Sequence, residues 1–356
     1  MDFTFNQDQL AFRESVNRFL MTEAPPEMLR EIWETDVGRS PELRRKIAEQ
    51  GLMGLSVPEA EGGLGLGDID WSLLTQELGY YAIPDSLIDT ACLAAGMLAG
   101  LPSRHPARMH WLPRIVDGSA RVAVGHPLNP WVADAHLADF LLLPHQTADG
   151  MEIHGLSGDA VGLQAMRSID ASRRLATLAW TASASTRLTD GALGQTLWDL
   201  ALVRGALCTA GQLVGLAQRM LDITVDYAAQ RKQFGKPIGS FQAVKHHLAD
   251  VLTQIEFAKP VLYRAAKALA SGDADVSARV AHAKLACGEA ALLAARQGIQ
   301  VHGAMGYTWE VDLQMFMKRA WALNSAWGDR AHHHARLSQA ILDRGDLLGP
   351  GATFRN

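Results

Sequence analysis

Cysteine is scarce in this chain: there are three in 356 residues, Cys92, Cys208 and Cys287, far apart and each set among apolar neighbours. That usage excludes a disulfide framework and points to reduced core thiols in a cytoplasmic protein. A basic surplus is missing as well, since 33 Lys and Arg stand against 38 Asp and Glu for a net charge of -5. Nucleic acid and anionic membranes need a cationic face, so neither is an expected partner. Met1–Phe5 holds no basic region leading into an apolar run, and the apolar stretches are expected to be too short to cross a bilayer. There is no internal repeat and no low-complexity tract. What is left, 48% hydrophobic and 20% charged, is the composition of a globular protein with room for two or three domains.

Apolar spacing divides the chain into three regions. Residues 1–118 read as helical: Asn6 is the expected N-cap for a helix carrying Phe12, Val16, Phe19 and Leu20. Ser40-Pro41-Glu42 is a helix start with proline in its first turn, and Gly51 is the matching stop. The glycine-rich residues 52–67 lack both a preceding strand and a following Lys-Ser/Thr, so they are not a nucleotide loop. Further helices are expected at about 70–81, 85–99 and 106–117. Residues 119–190 read as a β-domain, with the short apolar runs Ala120–Val124, Phe140–Leu143, Met151–His154 and Leu175–Ser183 separated by turn formers. Residues 191–356 return to helical spacing over Leu197–Ala229, Phe241–Leu269, Val276–His302, Trp309–Ala326 and Arg330–Arg344. Pro260 should kink or interrupt the second of these. Long antiparallel helices of this kind form a four-helix bundle.

Two stretches in the last region carry chemistry. Arg231–Gln242 reads R-K-Q-F-G-K-P-I-G-S-F-Q, and Gln300–Thr308 reads Q-V-H-G-A-M-G-Y-T. Arg231 offers a permanent charge and a planar fork of donors suited to a pyrophosphate. Phe234 and Ile238 offer apolar surface for an adenine ring, and Gln300 an amide that both donates and accepts. Gly303, Ala304 and Gly306 keep side chains small where main chain must approach a phosphate.

Together and in this order, the two stretches resemble those of the acyl-CoA dehydrogenase family, and the V-P-E-x-x-G-G within residues 52–67 resembles that family's N-terminal loop. The resemblance implies a mostly α fold: an N-terminal helical domain, a small β-barrel-like middle domain, and a C-terminal four-helix bundle that forms the subunit interface. It implies FAD as cofactor, an acyl-CoA substrate and electron-transfer flavoprotein as electron acceptor. It also implies that Arg231, Phe234, Ile238, Gln300, Gly303 and Ala304 hold the adenosine-pyrophosphate half of an FAD belonging to the neighbouring subunit.

Elsewhere the family pattern is broken. The flavin-touching T-E-x-x-x-G-S-D and W-I-T stretches are replaced by G-H-P-L-N-P-W-V-A-D at residues 125–134 and G-L-S-G-D-A-V-G at 155–162. The reaction needs a carboxylate base for the α-proton. At the family's usual place for that glutamate stands Trp327, in Trp327-Gly328-Asp329, and at the alternative place stands Gly205. Asp329 is read as a helix cap and Glu310 and Asp312 as first-turn acids, while His332, His333 and His334 point in different directions and read as a solvated run. Kept adenosine motifs without a base imply a heteromer, in which a second acyl-CoA dehydrogenase-like subunit supplies flavin seat and glutamate. The two-plus-two heterotetramers acting on steroid side chains are the nearest pattern. A homo-oligomer using Asp329 as an atypical base and a flavin-dependent monooxygenase on the same fold are the alternatives.

Overall fold

A computed structural model describes residues 4–125 and 128–343. Arg344, expected as the end of the last helix, and His126 and Pro127 of the altered 125–134 stretch lie outside the described residues. In chain order the elements begin with α1 (Gln7–Glu23), α2 (Pro26–Glu34), α3 (Pro41–Glu49) and α4 (Asp68–Tyr80). A π-helical segment, Ile88–Ala94, then runs into α5 (Ala95–Ala99), and α6 (Pro106–Val116) follows. Next come β1 (Val122–Val124), β2 (Val132–Ala133), β3 (Phe140–Thr147), β4 (Gly150–Ser157), β5 (Gly162–Met166) and β6 (Leu175–Ala179). The remainder is α7 (Gly191–Gln230), the short strands β7 (Lys232–Gln233) and β8 (Lys236–Pro237), α8 (Gln242–Ser271), α9 (Val276–His302), α10 (Leu313–Asn324) and α11 (Arg330–Asp343).

Local chemistry sets the helix ends. The Asn6 side chain accepts from the Gln9 amide while the Gln9 side chain accepts from the Asn6 amide, closing a capping box on α1. Ser40 Oγ accepts from the Leu43 amide at the start of α3, and Gly51, at φ +74°, takes the left-handed turn that ends that segment. Residues 52–67 fold back on themselves, Leu64, Gly65 and Leu66 donating to the carbonyls of Gly54, Val57 and Leu55. A Cβ at Gly63 would lie 2.1 Å from the Val57 carbonyl oxygen, so this glycine is required by close packing and not by a ligand.

Helices and strands group into two compact units, neither a contiguous segment. One holds the chain up to Pro26, Asp68–Ile83 and the residues from Ala206 onward. Thus α1 and α4 join the long C-terminal helices instead of residues 27–118, because their polar side chains are satisfied there. Arg13 Nε and Asn17 Nδ2 of α1 each donate to the Glu77 carboxylate of α4 at 2.6 Å, and Tyr263 of α8 donates to Gln76 of α4 at 3.2 Å. Around them α8 packs on α9, and α9 on α10 and α11. The apolar layer between is built largely of alanine and small residues, such as Ala283, Ala290, Ala291 and Ala295 on α9, which lets helix axes approach closely.

The expected interruption at Pro260 does not occur: α8 runs unbroken through it. Pro260 lies on the exposed face, and the buried Val251, Ile255, Leu262 and Ala265 on the opposite face hold the helix across the missing hydrogen bond. The helix predicted from Trp309 begins only at Leu313, after a 3-10 turn over Gly303–Tyr307, so Glu310 precedes it and Asp312 is its N-cap residue.

The second unit comprises Glu27–Gly67 and Pro84–Gly205. Its strands form two three-stranded sheets, ordered β1-β3-β4 and β2-β6-β5, over a core that includes Ala123, Val132, Leu141, Leu143, Leu156 and Ala176. β2 and β5 carried no usable sequence signal, one being two residues long and the other exposed throughout. A buried ion pair in this unit was also not apparent in the sequence. Arg39 Nε donates to Asp134 Oδ2 at 2.7 Å while Nη2 donates to Oδ1, and Asp134 adopts φ +56°. The pair fixes the turn after β2 by satisfying both charges where water is excluded.

The expectation about long apolar stretches needs correction. α7 is long and apolar enough to cross a bilayer by length and composition, but 78% of its most apolar window is buried within the protein, the pattern of a core helix. Cys92, Cys208 and Cys287 are buried and form no disulfide among the described residues.

Candidate functional site

Where α7 ends, the Arg231 amide donates to the Tyr227 carbonyl at 2.8 Å and the chain turns into a hairpin. β7 and β8 pair antiparallel, Lys232 opposite Pro237 and Gln233 opposite Lys236, leaving Phe234 and Gly235 as the two-residue turn. Both take positive φ, +52° and +80°. Such a turn matches strand twist and suits glycine or asparagine, so a phenylalanine in its first position is strained. The turn leaves the Phe234 ring 91% exposed. The Ile238 amide donates back to the Arg231 carbonyl at 2.8 Å and closes the hairpin, with Ile238 half-buried beside it. The Arg231 side chain is exposed and makes no ion pair among the described residues.

The second stretch closes α9. Gln300 and Ala304 are exposed, and Gly303 adopts φ 60°, ψ -140°, with no atom within 4 Å of where a Cβ would stand. Only glycine adopts that conformation readily, and the space beside it is open. The structure brings the two stretches together through Tyr227 and His302. Their rings stack at 4.1 Å and 21°, and the Tyr227 hydroxyl donates to the His302 carbonyl at 3.4 Å. Tyr227 lies one helical turn before Arg231 and His302 directly before Gly303, so one contact fixes both halves of the site. His302 is buried, its Nδ1–H donating to the Gly298 carbonyl at 2.8 Å, and burial holds its pKa below the usual histidine value. It is therefore a neutral packing residue. Gly306 is a correction: it is buried, and a Cβ there would lie 3.2 Å from His302 Cβ and 3.4 Å from Ile299 Cα. Its small size serves that packing and not a phosphate.

An exposed guanidinium, an exposed aromatic ring, an exposed amide and an uncovered glycine backbone thus stand at adjoining helix ends. That donor set fits the adenosine-pyrophosphate half of FAD approached from outside the chain.

The family's usual position for the base falls in the loop between α10 and α11. Trp327 has φ +56° and is 7% exposed, and Gly328 has φ +98°. The loop is held from beneath by Lys284 of α9, whose ammonium, on a residue only 2% exposed, donates to the carbonyls of Leu323, Asn324 and Gly328 at 3.4, 2.9 and 3.3 Å. A Cβ at Gly288 would lie 2.4 Å from Asn324 Oδ1, so that glycine lets the loop lie against α9. His333 Nε2–H donates to the Trp327 carbonyl at 3.1 Å. His333 is 3% exposed, so the histidine run is not uniformly solvated as expected: burial first, then the Lys284 charge, pushes its pKa down to about 4. Asp329 is exposed, and its Oδ1 accepts from the His332 amide at 2.8 Å, so it caps α11. Gly205 lies buried inside α7. Neither base position presents a carboxylate.

Residues 194–342 match the acyl-CoA dehydrogenase C-terminal domain model, and residues 6–119 match the acyl-CoA dehydrogenase N-terminal domain model. Among curated relatives, the acyl-CoA dehydrogenase IpdE2 of Mycolicibacterium smegmatis is 32% identical over 317 residues, covering 88% of this chain and 93% of its own length. Its namesake in Mycobacterium tuberculosis is 32% identical over 316 residues, covering 88% and 91%. Among solved structures, the ChsE4-ChsE5 complex from Mycobacterium tuberculosis superposes with a TM-score of 0.85 at 23% identity, over 96% of this chain and 99% of that one. Butyryl-CoA dehydrogenase from Megasphaera elsdenii superposes with 0.85 at 21% identity, over 96% and 100%.

Proposed function

The chain belongs to the acyl-CoA dehydrogenase family, and from that membership we propose that it is the base-lacking subunit of an FAD-dependent acyl-CoA dehydrogenase, assembled two-plus-two with a second dehydrogenase-like chain. In the reaction class concerned, bound FAD accepts the hydride that leaves the acyl β-carbon while a carboxylate removes the α-proton. This chain's part is binding. Arg231 pairs with the pyrophosphate, Phe234 and Ile238 lie against adenine, Gln300 hydrogen-bonds the adenosine, and the main chain at Gly303 and Ala304 approaches the phosphates. The partner supplies the glutamate and the isoalloxazine seat, electron-transfer flavoprotein takes the electrons, and the complex works in the cytoplasm on an acyl-CoA with a steroid-derived side chain.

One observation carries this reading. The six adenosine residues stand exposed or half-buried at the adjoining ends of α7 and α9, while both base positions hold residues without a carboxylate, Trp327 and Gly205. A chain catalysing by itself would need a carboxylate at one of those two positions. The two-chain complex among proteins of this fold gives the assembly a precedent.

The test is the visible absorbance of flavin in the chain purified alone and co-purified with its partner. A colourless lone chain and a yellow complex with about one FAD for every two chains are expected. A lone chain carrying one FAD each and turning over acyl-CoA would overturn the proposal, and loss of that turnover in Asp329→Asn would identify Asp329 as the base.

A further inference from the structure

The unit built from Glu27–Gly67 and Pro84–Gly205 contains a cavity of about 540 Å³ that none of the functional residues above touches. Its floor is β5, the edge strand of the β2-β6-β5 sheet, which pairs on one side only. All five β5 residues are exposed, and the strand and the turn after it carry Leu163, Met166 and Ile169 at 42%, 36% and 54% exposure. An exposed apolar edge is ordinarily shielded. Here Leu163 and Met166 line the cavity together with Arg167, Arg173 and Arg174.

The charges around the cavity are unequally committed. Asp170 is fully buried, and its Oδ1 already accepts from the Ser172 amide at 2.9 Å and the Ser172 hydroxyl at 2.6 Å. Arg174 donates through Nη2 to the Thr35 carbonyl, and the charge of Arg173 acts on the buried Asp89 carboxyl, favouring its ionised form. Arg167 is exposed and makes no hydrogen bond or ion pair among the described residues. The lining therefore pairs an apolar strip with an uncommitted guanidinium backed by two more, which together outnumber the carboxylates of Asp36 and Asp170, in a volume within the range of small-molecule sites.

We propose that this cavity is a binding site for an amphipathic organic anion: an apolar body lying along Leu163 and Met166, with a carboxylate, sulfonate or phosphate on Arg167. The apolar body excludes water from the guanidinium and so strengthens the ion pair it accompanies. The site is independent of the adenosine residues, which belong to the other unit.

The probe is 8-anilinonaphthalene-1-sulfonate, titrated by fluorescence into the purified protein, alone or in its complex, with decanoate and inorganic phosphate as competitors. Saturable binding at one site per chain is expected, displaced by decanoate far better than by phosphate. Arg167→Glu and Met166→Asp, both at exposed positions, should each raise the Kd at least about tenfold, whereas Phe257→Ala, an exposed ring 71% accessible in the other unit, should not change it. Wild-type titrations by both cavity variants, or loss of the signal in Phe257→Ala, would overturn the proposal by locating the dye on scattered apolar surface. Displacement by phosphate alone would equally overturn it, since the apolar strip would then contribute nothing.

Discussion

Arg231 is one residue whose exposure was as informative as its identity. An exposed guanidinium without an ion partner among the described residues costs little to keep, and in the proposed site would contribute only when a dianion arrives. Arg231→Ala is therefore expected to leave the thermal midpoint of the chain within about 1–2 °C, a surface effect, while lowering the FAD content of the complex several-fold. Absorbance at the flavin band after desalting measures it, and full flavin in this variant would remove Arg231 from the site. His333 shows the opposite case, a titratable group whose identity suggested solvation and whose burial decides its chemistry. Its pKa is about 4 when folded, against an ordinary 6.5, so between those values the unfolded chain takes up a proton that the folded chain refuses. Stability should accordingly fall as pH drops from about 6.5 to 4, by on the order of 3 kcal/mol, and be insensitive to this group above that window. His333→Gln retains a donor for the Trp327 carbonyl and should flatten that slope, as read from denaturant midpoints at a series of pH values. An unchanged slope in the variant would exclude His333 as its source.

At the scale of elements, the α10–α11 loop is held by a device that helical periodicity conceals. Lys284 falls in line with alanines on the buried face of α9, where a charge would ordinarily be excluded. Three carbonyls at the end of α10 and in the loop receive its ammonium, and the negative end of the α10 dipole favours the cation. Lys284→Met keeps the volume and removes the ammonium from those carbonyls, of which Leu323 alone keeps a main-chain donor, the Ala326 amide at 3.0 Å. It should destabilise the protein by about 2–4 kcal/mol and raise amide exchange over residues 324–328, where Trp327 and Gly328 hold positive φ. If exchange rose equally across α8 and α9, Lys284 would be a general core residue and not the clamp of this loop.

The elements themselves were legible to differing degrees. α1, α3, α4, α9 and α11 lie where caps and 3.6-residue spacing place them, because those signals are short-range. Pro260 misled because its local penalty is smaller than the burial secured by the rest of α8. β2 and β5 were illegible because a two-residue strand and an edge strand exposed on both faces have no alternation to read.

On the scale of the whole molecule, the residues proposed to hold adenosine are exposed or half-buried and neither proposed base position carries a carboxylate, so function is expected to reside in an assembly. Co-expressed with its dehydrogenase-like partner, the chain should elute and scatter light as a tetramer with equal numbers of the two chains. A flavin-bearing assembly of this chain alone would return the question to Asp329.

The sequence by itself determined the family, the two motifs proposed to hold adenosine and the absence of a carboxylate at Trp327 and Gly205, since these depend on residue identity and spacing within short segments. Only the tertiary structure decided that Tyr227 and His302 stack to join the motifs, that α1 and α4 belong with the long helices, and that His333 and Lys284 are buried around one loop. Those outcomes turn on which distant side chains exclude water from one another, and burial of that kind depends on chain segments that meet only after folding.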